Sequence, residues 1–248
     1  MMEKKRNYKI SSLISLYLNY IFQKTTLIVL LISLILMVTI LFVIANPSLK
    51  ETDYLLGFKD IHNSYFEQSL FVVQVFNCII ITTLVITIII NSISFDSLFV
   101  SYVPRYAICI SKVCALIIVV LGIILFEVLV LYLIPLLKYD LYKTEISDLS
   151  LIGSLMLITL FELMLEICVA TIIPTIFIPM SLLFVFVIAK SLMHSMNKIK
   201  NILSTFIPVI DYSSNAFLSN GVLVGIIWII LLSFLYFSVY NVKDLKII

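Results

Sequence analysis

Six long apolar stretches occupy more than half of this 248-residue chain and place it in a membrane. They cover 26–45, 69–92, 113–135, 151–169, 173–192 and 222–240. A helix of about 20 apolar residues crosses a hydrocarbon core of about 30 Å. In lipid only helices and closed barrels satisfy their own backbone, and stretches without alternating polarity favour helices. The sequence therefore predicts an all-α polytopic membrane protein, a single transmembrane domain over 1–248 with six transmembrane helices.

Composition excludes a soluble domain and a nucleic-acid partner. Hydrophobic residues make up 62% of the chain and charged residues 12%, so the polar surface is too small to cover a soluble core. The net charge is only +2, and basic residues are not interleaved with aromatic ones in a patch. The four cysteines lie in or beside the apolar stretches, which favours packing roles over disulfides.

The charges that flank the first stretch predict the orientation. The residues before it carry several lysines and an arginine but a single acid, Glu3, which places the N-terminus in the cytoplasm. Six crossings return the C-terminus to that side, giving a multi-pass plasma-membrane protein with both termini cytoplasmic. The lysines of 190–200 then lie outside, against the usual rule. If 151–192 formed one re-entrant unit instead, they would lie inside and the C-terminus outside.

Three segments are too polar or too broken to cross. Residues 8–24 have apolar side chains at helical spacing, which predicts an N-terminal interfacial amphipathic helix; the alternative is an extension of the first span. In the link after the second span, either Ser94 or Asp96 is a possible cap of a short helix that Pro104 would end. The alternative is an ordinary turn. Residues 201–220 predict an outer re-entrant segment before helix six.

The sequence contains no motif for catalysis or for a resident metal. The phosphate-binding pattern G-x-x-x-x-G-K-[ST] and the zinc pattern H-E-x-x-H are missing, and the two histidines are far apart. We therefore expect no catalytic residue, no metal ligand and no cofactor on this chain.

Polar side chains inside the spans are the candidates for a transport path. Glu127, Glu162 and Glu166 lie in the third and fourth spans, where an ionised carboxylate costs about 2.5–3.5 kcal/mol. Gln74 and Asn77 lie in the second span. The acids either line a path, or are protonated structural groups, or, for Glu166 above all, reach interfacial water. The bland interpretation of the amides is hydrogen bonding between helices.

The layout and four local segments resemble the permease subunits of ABC type-2 transporters, in their small six-span bacterial subfamily. The broken segment 201–220 matches the outer re-entrant helices of that family. An amphipathic helix precedes the first span. The link contains Asp96-Ser-Leu, then Pro104-Arg and Lys112, similar to a coupling helix followed by a basic turn. The chain ends on Tyr240-Asn-Val-Lys-Asp-Leu245, an aromatic and basic-acidic ending that the family shares.

The resemblance implies a transport subunit without its own ATPase. ABC ATPase subunits, carrying ATP and Mg, would dock on 94–106, with Asp96, Phe99, Tyr102 and Arg105 as coupling residues. A second permease chain, identical or homologous, would complete the path.

The resemblance also implies a class of cargo. Relatives in low-GC Gram-positive bacteria export amphipathic or antimicrobial peptides, or remove lantibiotics and bacitracin-like agents from the producer, so a peptide or other hydrophobic substrate is expected. Two alternatives stay open: an ion-coupled carrier in which Glu127 and Glu162 bind protons, and a membrane sensor or assembly protein without a path.

Overall fold

The computed structural model describes residues 9–50, 58–93, 96, 103–139, 146–195 and 219–242, and within these ranges it is all-helical without strands. It has seven α-helices. They are α1 (Ile10–Ile21), α2 (Lys24–Lys50), α3 (Phe58–Val85), α4 (Arg105–Tyr139), α5 (Ile146–Ile172), α6 (Phe177–Ser195) and α7 (Ser219–Val242). A π-turn, Ile86–Ile90, continues α3. The predicted all-α class is confirmed.

Five of these helices contain segments long and apolar enough to cross a membrane. They are Lys24–Ala45, Gln68–Ile90, Arg105–Leu137, Ile152–Ile172 and Val222–Tyr240. Large aliphatic and aromatic side chains on α2, α4 and α7 are exposed on the outside of the bundle, where a bilayer satisfies them and water would not. These features identify a membrane protein.

The fifth predicted span, 173–192, differs from the other five. Pro174 lies in a break between α5 and α6, where the sequence predicts a turn. The apolar part of α6 among the described residues is Phe177–Ala189, which is shorter than the roughly 20 residues that a crossing needs. Six crossings are therefore not confirmed. The re-entrant segment predicted at 201–220 lies outside the described residues, except for its last two, which begin α7.

Helices α3 and α5 form the centre of the bundle. Helix α3 packs against α2, α5 and α6, and α5 packs against α7. The apolar segments of α3 and α5 are mostly buried, whereas those of α2 and α7 are mostly exposed. The cause lies in their composition, since α3 and α5 carry the amides, hydroxyls and acids that need protein partners in a membrane.

Helix α1 is amphipathic, as predicted, and it packs on the bundle through its apolar face. Leu13, Tyr17 and Ile21 are spaced four residues apart and are buried, against the start of α4 and the π-turn. Ile10, at the beginning of the same face, is 38% exposed. Protein therefore covers most of the surface that the sequence assigns to the interface, and the depth of α1 in a bilayer stays a prediction.

Candidate functional site

The name "link" is used from here on for 91–104, the residues between the π-turn and α4. A buried ion pair joins the link to α4. Lys112 lies about two turns into α4, and its Nζ donates to Asp96 Oδ2. Each of the two side chains is 1% exposed. A charge removed from water is costly unless it is paired and hydrogen-bonded. The pair therefore fixes the position of Asp96 against α4, and the carboxylate faces the protein interior.

Helix α1 supplies a hydrogen bond to the same carboxylate. Tyr17 is fully buried, and its hydroxyl donates to Asp96 Oδ1 at 2.6 Å. The Ser92 hydroxyl lies 3.4 Å from Asp96 Oδ2. Burial, and next the Asp96 charge, raise the pKa of Tyr17, so its hydroxyl keeps the proton that it donates. Both oxygens of the carboxylate thus have partners.

Helix α7 completes this group of side chains. The Tyr240 ring centroid lies 5.9 Å from Lys112 Nζ, and the Tyr17 ring centroid lies 5.6 Å from it. Both distances are within the range of a cation–π interaction. Tyr17, Asp96, Lys112 and Tyr240 are called the Asp96 cluster below. It brings together side chains from α1, the link, α4 and α7.

Two more hydrogen bonds join the start of the chain to the end of α3. Tyr20 OH donates to the Asn91 carbonyl at 3.1 Å, and the hydroxyls of Thr26 and Thr87 lie 3.2 Å apart. With the Tyr17 bond they form three contacts along the stretch from the π-turn to the link. The α1–α2 turn and this stretch are thereby held in one register.

The structure locates some of the predicted coupling residues. Asp96 is buried in the cluster, and Arg105 is half-buried at the first position of α4. Phe99 and Tyr102 lie outside the described residues. The coupling role of all four residues stays a prediction. The buried Asp96 joins the link to α1 and α4 through its bonds to Tyr17 and Lys112.

Tyr17 was not predicted as a site residue, and Lys112 was predicted only as part of a basic turn. Both carry a signal. A lysine two turns inside an apolar helix needs an acidic partner in a membrane, and Asp96 is the nearest acid before it in sequence. A tyrosine in the middle of an apolar helical face needs a hydrogen-bond acceptor when it is buried.

The predicted path residues lie in one buried layer between α3, α4 and α5. Asn77 Nδ2, on α3, donates to Glu127 Oε2, on α4, at 3.1 Å. The same nitrogen lies 3.5 Å from Thr159 Oγ1, on α5. Asn77 therefore joins three helices with one amide group.

The two glutamates of α5 contact the next turns of α3. Cys78 Sγ lies 3.7 Å from Glu162 Oε2, and Thr82 Oγ1 donates to Glu166 Oε1 at 2.9 Å. Cys78 and Thr82 are four residues apart on α3, and Glu162 and Glu166 are four residues apart on α5. The two residues on each helix therefore lie on one face of it. Because both residue numbers rise together, α3 and α5 run parallel here.

The five residues that the sequence assigns to a path are all buried, with none more than 6% exposed. They are called the acidic seam below: Gln74, Asn77, Glu127, Glu162 and Glu166. Glu166 is fully buried, which argues against contact with interfacial water. The contacts described here join the acids to an amide, a thiol and a hydroxyl, all neutral donors.

Among the described residues, no group of three or more histidines, cysteines and acids is placed to hold a metal ion. All four cysteines are thiols, and Cys114 alone among them is half-buried while the others are buried. No family model, curated protein or solved structure matches this chain. Its chemistry is therefore interpreted from its own sequence and geometry.

Proposed function

We propose that this chain is a transmembrane permease subunit of an ATP-driven ABC exporter, in which separate subunits hydrolyse ATP. The observation that carries the proposal is the convergence of α1, the link and the end of α7 on the Asp96 cluster. These are three of the four segments in which the sequence resembles ABC type-2 permeases. Each of them contributes a side chain, namely Tyr17, Asp96 and Tyr240.

The cluster suits a chain that receives force from a partner. An ATPase that docks on 94–106 moves the link. Because Asp96 is bonded to Lys112 and Tyr17, that movement reaches α4 and α1 instead of ending in a loose connection. Nucleotide binding then brings two permease chains, identical or homologous, into a new arrangement. An amphipathic peptide or another hydrophobic compound leaves along the apolar cleft between them.

The acidic seam has a conditional place in this mechanism. Its side chains are buried between helices of a single chain. They meet cargo only in a state in which α3 moves relative to α4 or α5. In the state described here they hold these helices together.

Isolation of the tagged chain from its native membrane tests the proposal. A stoichiometric ABC ATPase should co-purify, and a membrane preparation of the pair should hydrolyse ATP faster in the presence of a cationic amphipathic peptide. Absence of any ATPase from the complex would overturn the exporter. ATP-independent export driven by a proton gradient would replace it with an ion-coupled carrier, for which the buried Glu127 and Glu162 are the observation in favour.

A substitution in the link tests the docking segment. Phe99→Asp is expected to abolish stimulated ATPase activity and export while the chain still inserts. Phe22→Asp is the matched control, because it places the same charge at an exposed phenylalanine that lies just after α1 and outside 94–106. Export at the wild-type level by the Phe99 variant would remove 94–106 as the coupling segment.

A further inference from the structure

We propose that Lys112 is a positioning residue: through Asp96 it fixes the link and α1, and through Tyr240 it fixes the end of α7. The inference rests on the proposed function for its purpose, because it states how a force on the link enters the bundle. The placement itself is a property of this chain alone and is tested without a partner.

Three separate elements of the fold meet at the ammonium group of Lys112. Lys112 Nζ donates to Asp96 in the link and lies against the rings of Tyr17 and Tyr240. These residues are distant in sequence, so local helix formation does not bring them together. The lysine therefore lies where side chains from α1, the link and α7 meet.

The charge of Lys112, more than its volume, fixes the position of its partners. A methionine of similar length fills the same volume at the start of an apolar helix without the cost of burying a charge. Apolar contacts have no preferred direction. A lysine–carboxylate bond, with a tyrosine hydroxyl on the other oxygen, sets both a distance and an orientation.

Helix α1 is held in position by one directional bond as well as by apolar contacts. Its buried face consists of Leu13, Tyr17 and Ile21, and the two aliphatic side chains lie one turn to either side of the tyrosine. They permit α1 to rotate or slide on α4 at small cost. The bond from Tyr17 to Asp96 selects one register, and Lys112 holds Asp96 in place to receive it.

Hydrogen exchange on the isolated full-length chain in lipid nanodiscs tests the inference. Tyr17→Phe keeps the ring and removes the hydroxyl. Loss of a hydrogen bond to a charged group is expected to accelerate amide exchange in α1 by about tenfold or more. Lys112→Met should accelerate exchange in α1 and at the end of α7. Exchange in the central part of α5 should stay unchanged, which separates a positioning role from a general loss of stability.

Two pairs of variants keep the test decisive if Lys112→Met folds poorly. Asp96→Leu/Lys112→Met removes both charges, so it should recover the thermal midpoint that the single variant loses while α1 still exchanges fast. Tyr240→Phe keeps the ring over the cation, whereas Tyr240→Leu removes it, and only the latter should accelerate exchange in the last turns of α7. Lys24→Met, at an exposed lysine, controls for the loss of one positive charge.

The outcomes separate this inference from the exporter proposal. Unchanged α1 exchange in Tyr17→Phe and in the double variant would overturn the positioning role and leave the exporter untouched. Accelerated exchange in a chain that binds no ATPase would support the positioning role and overturn only the exporter.

Discussion

Replacement of Asn77 by leucine should weaken the packing of α3 against α4 and α5. The Asn77 side chain donates to Glu127 at 3.1 Å and approaches Thr159 at 3.5 Å. Leucine has a similar volume, so the variant loses polar contacts without opening a large cavity. The perturbation therefore isolates the hydrogen bonds that join α3 to α4 and α5.

The expected loss follows from the two contacts and from what they leave behind. Hydrogen bonds between membrane helices contribute about 0.6 kcal/mol on average and about 1.7 at most. The Glu127 carboxyl is fully buried, and losing a donor to such a group costs about 1–3 kcal/mol. Together these effects place the destabilisation of Asn77→Leu at about 2–4 kcal/mol.

Reversible unfolding in mixed micelles, followed by circular dichroism, measures this loss. Gln68→Leu, at an exposed amide of the same helix, is the matched control and should change stability by less than about 0.5 kcal/mol. The double variant Asn77→Leu/Glu127→Leu should be less destabilised than the sum of the single variants, because the two side chains share a bond. Wild-type stability of Asn77→Leu, or strict additivity in this cycle, would refute the role given to Asn77.

Three further predictions follow from single contacts and from the topology. Thr82→Val removes a 2.9 Å hydrogen bond to α5 and should cost about 0.6–1.7 kcal/mol in the same unfolding assay, whereas Thr83→Val, whose hydroxyl bonds within its own helix, should be nearly neutral; equal effects would contradict the assignment. Burial raises the pKa of Tyr65 to about 12, above its unfolded value of about 10. The folded state therefore holds this proton more tightly, and the stabilisation is present below about pH 10 and is lost as the pH rises to about 12. Wild type should lose about 2–3 kcal/mol more than Tyr65→Phe over that window, and parallel pH curves for the two proteins would show that Tyr65 is not responsible. An alkaline phosphatase fusion within 190–200 should be active and a fluorescent protein fused after Lys246 should fluoresce; the opposite pattern would favour the re-entrant alternative.

The membrane-crossing segments could be predicted because hydropathy depends on composition alone. The approximate bounds of 26–45, 69–92 and 222–240 agree with the apolar segments Lys24–Ala45, Gln68–Ile90 and Val222–Tyr240. The amphipathic pattern of 8–24 likewise gave α1. At 173–192 hydropathy alone does not establish a full crossing, because the helix is broken around Pro174 and its apolar part among the described residues runs only from Phe177 to Ala189.

The partners of the polar groups could not be predicted in the same way. A carboxylate in an apolar helix requires a partner, but the sequence does not state which helix supplies it. Asp96 illustrates the limit: the sequence indicated a possible helix cap and a coupling residue, but it did not indicate that α1 and α4 supply the hydrogen bonds of this carboxylate. One pattern in the sequence does indicate a pairing of helices. Cys78 and Thr82 have the same four-residue spacing as Glu162 and Glu166, as expected for partners on two parallel helices.

The π-turn separates the two polar sites on this part of the chain. The acidic seam includes Gln74 and Asn77 of α3, and its Glu166 bonds to Thr82 of the same helix. The Asp96 cluster follows the end of that helix. Between them the Asn91 amide bonds to the Ile86 carbonyl, five residues back, at 2.9 Å. One extra residue in a turn shifts the faces of the helix on either side of it by a fraction of a turn, and such bulges recur at functional sites. Thr82, before the π-turn, donates to Glu166 on α5, whereas Thr87, inside the π-turn, meets Thr26 at the start of α2. This one segment of the chain is therefore bonded to α5 before the turn and to α2 within it.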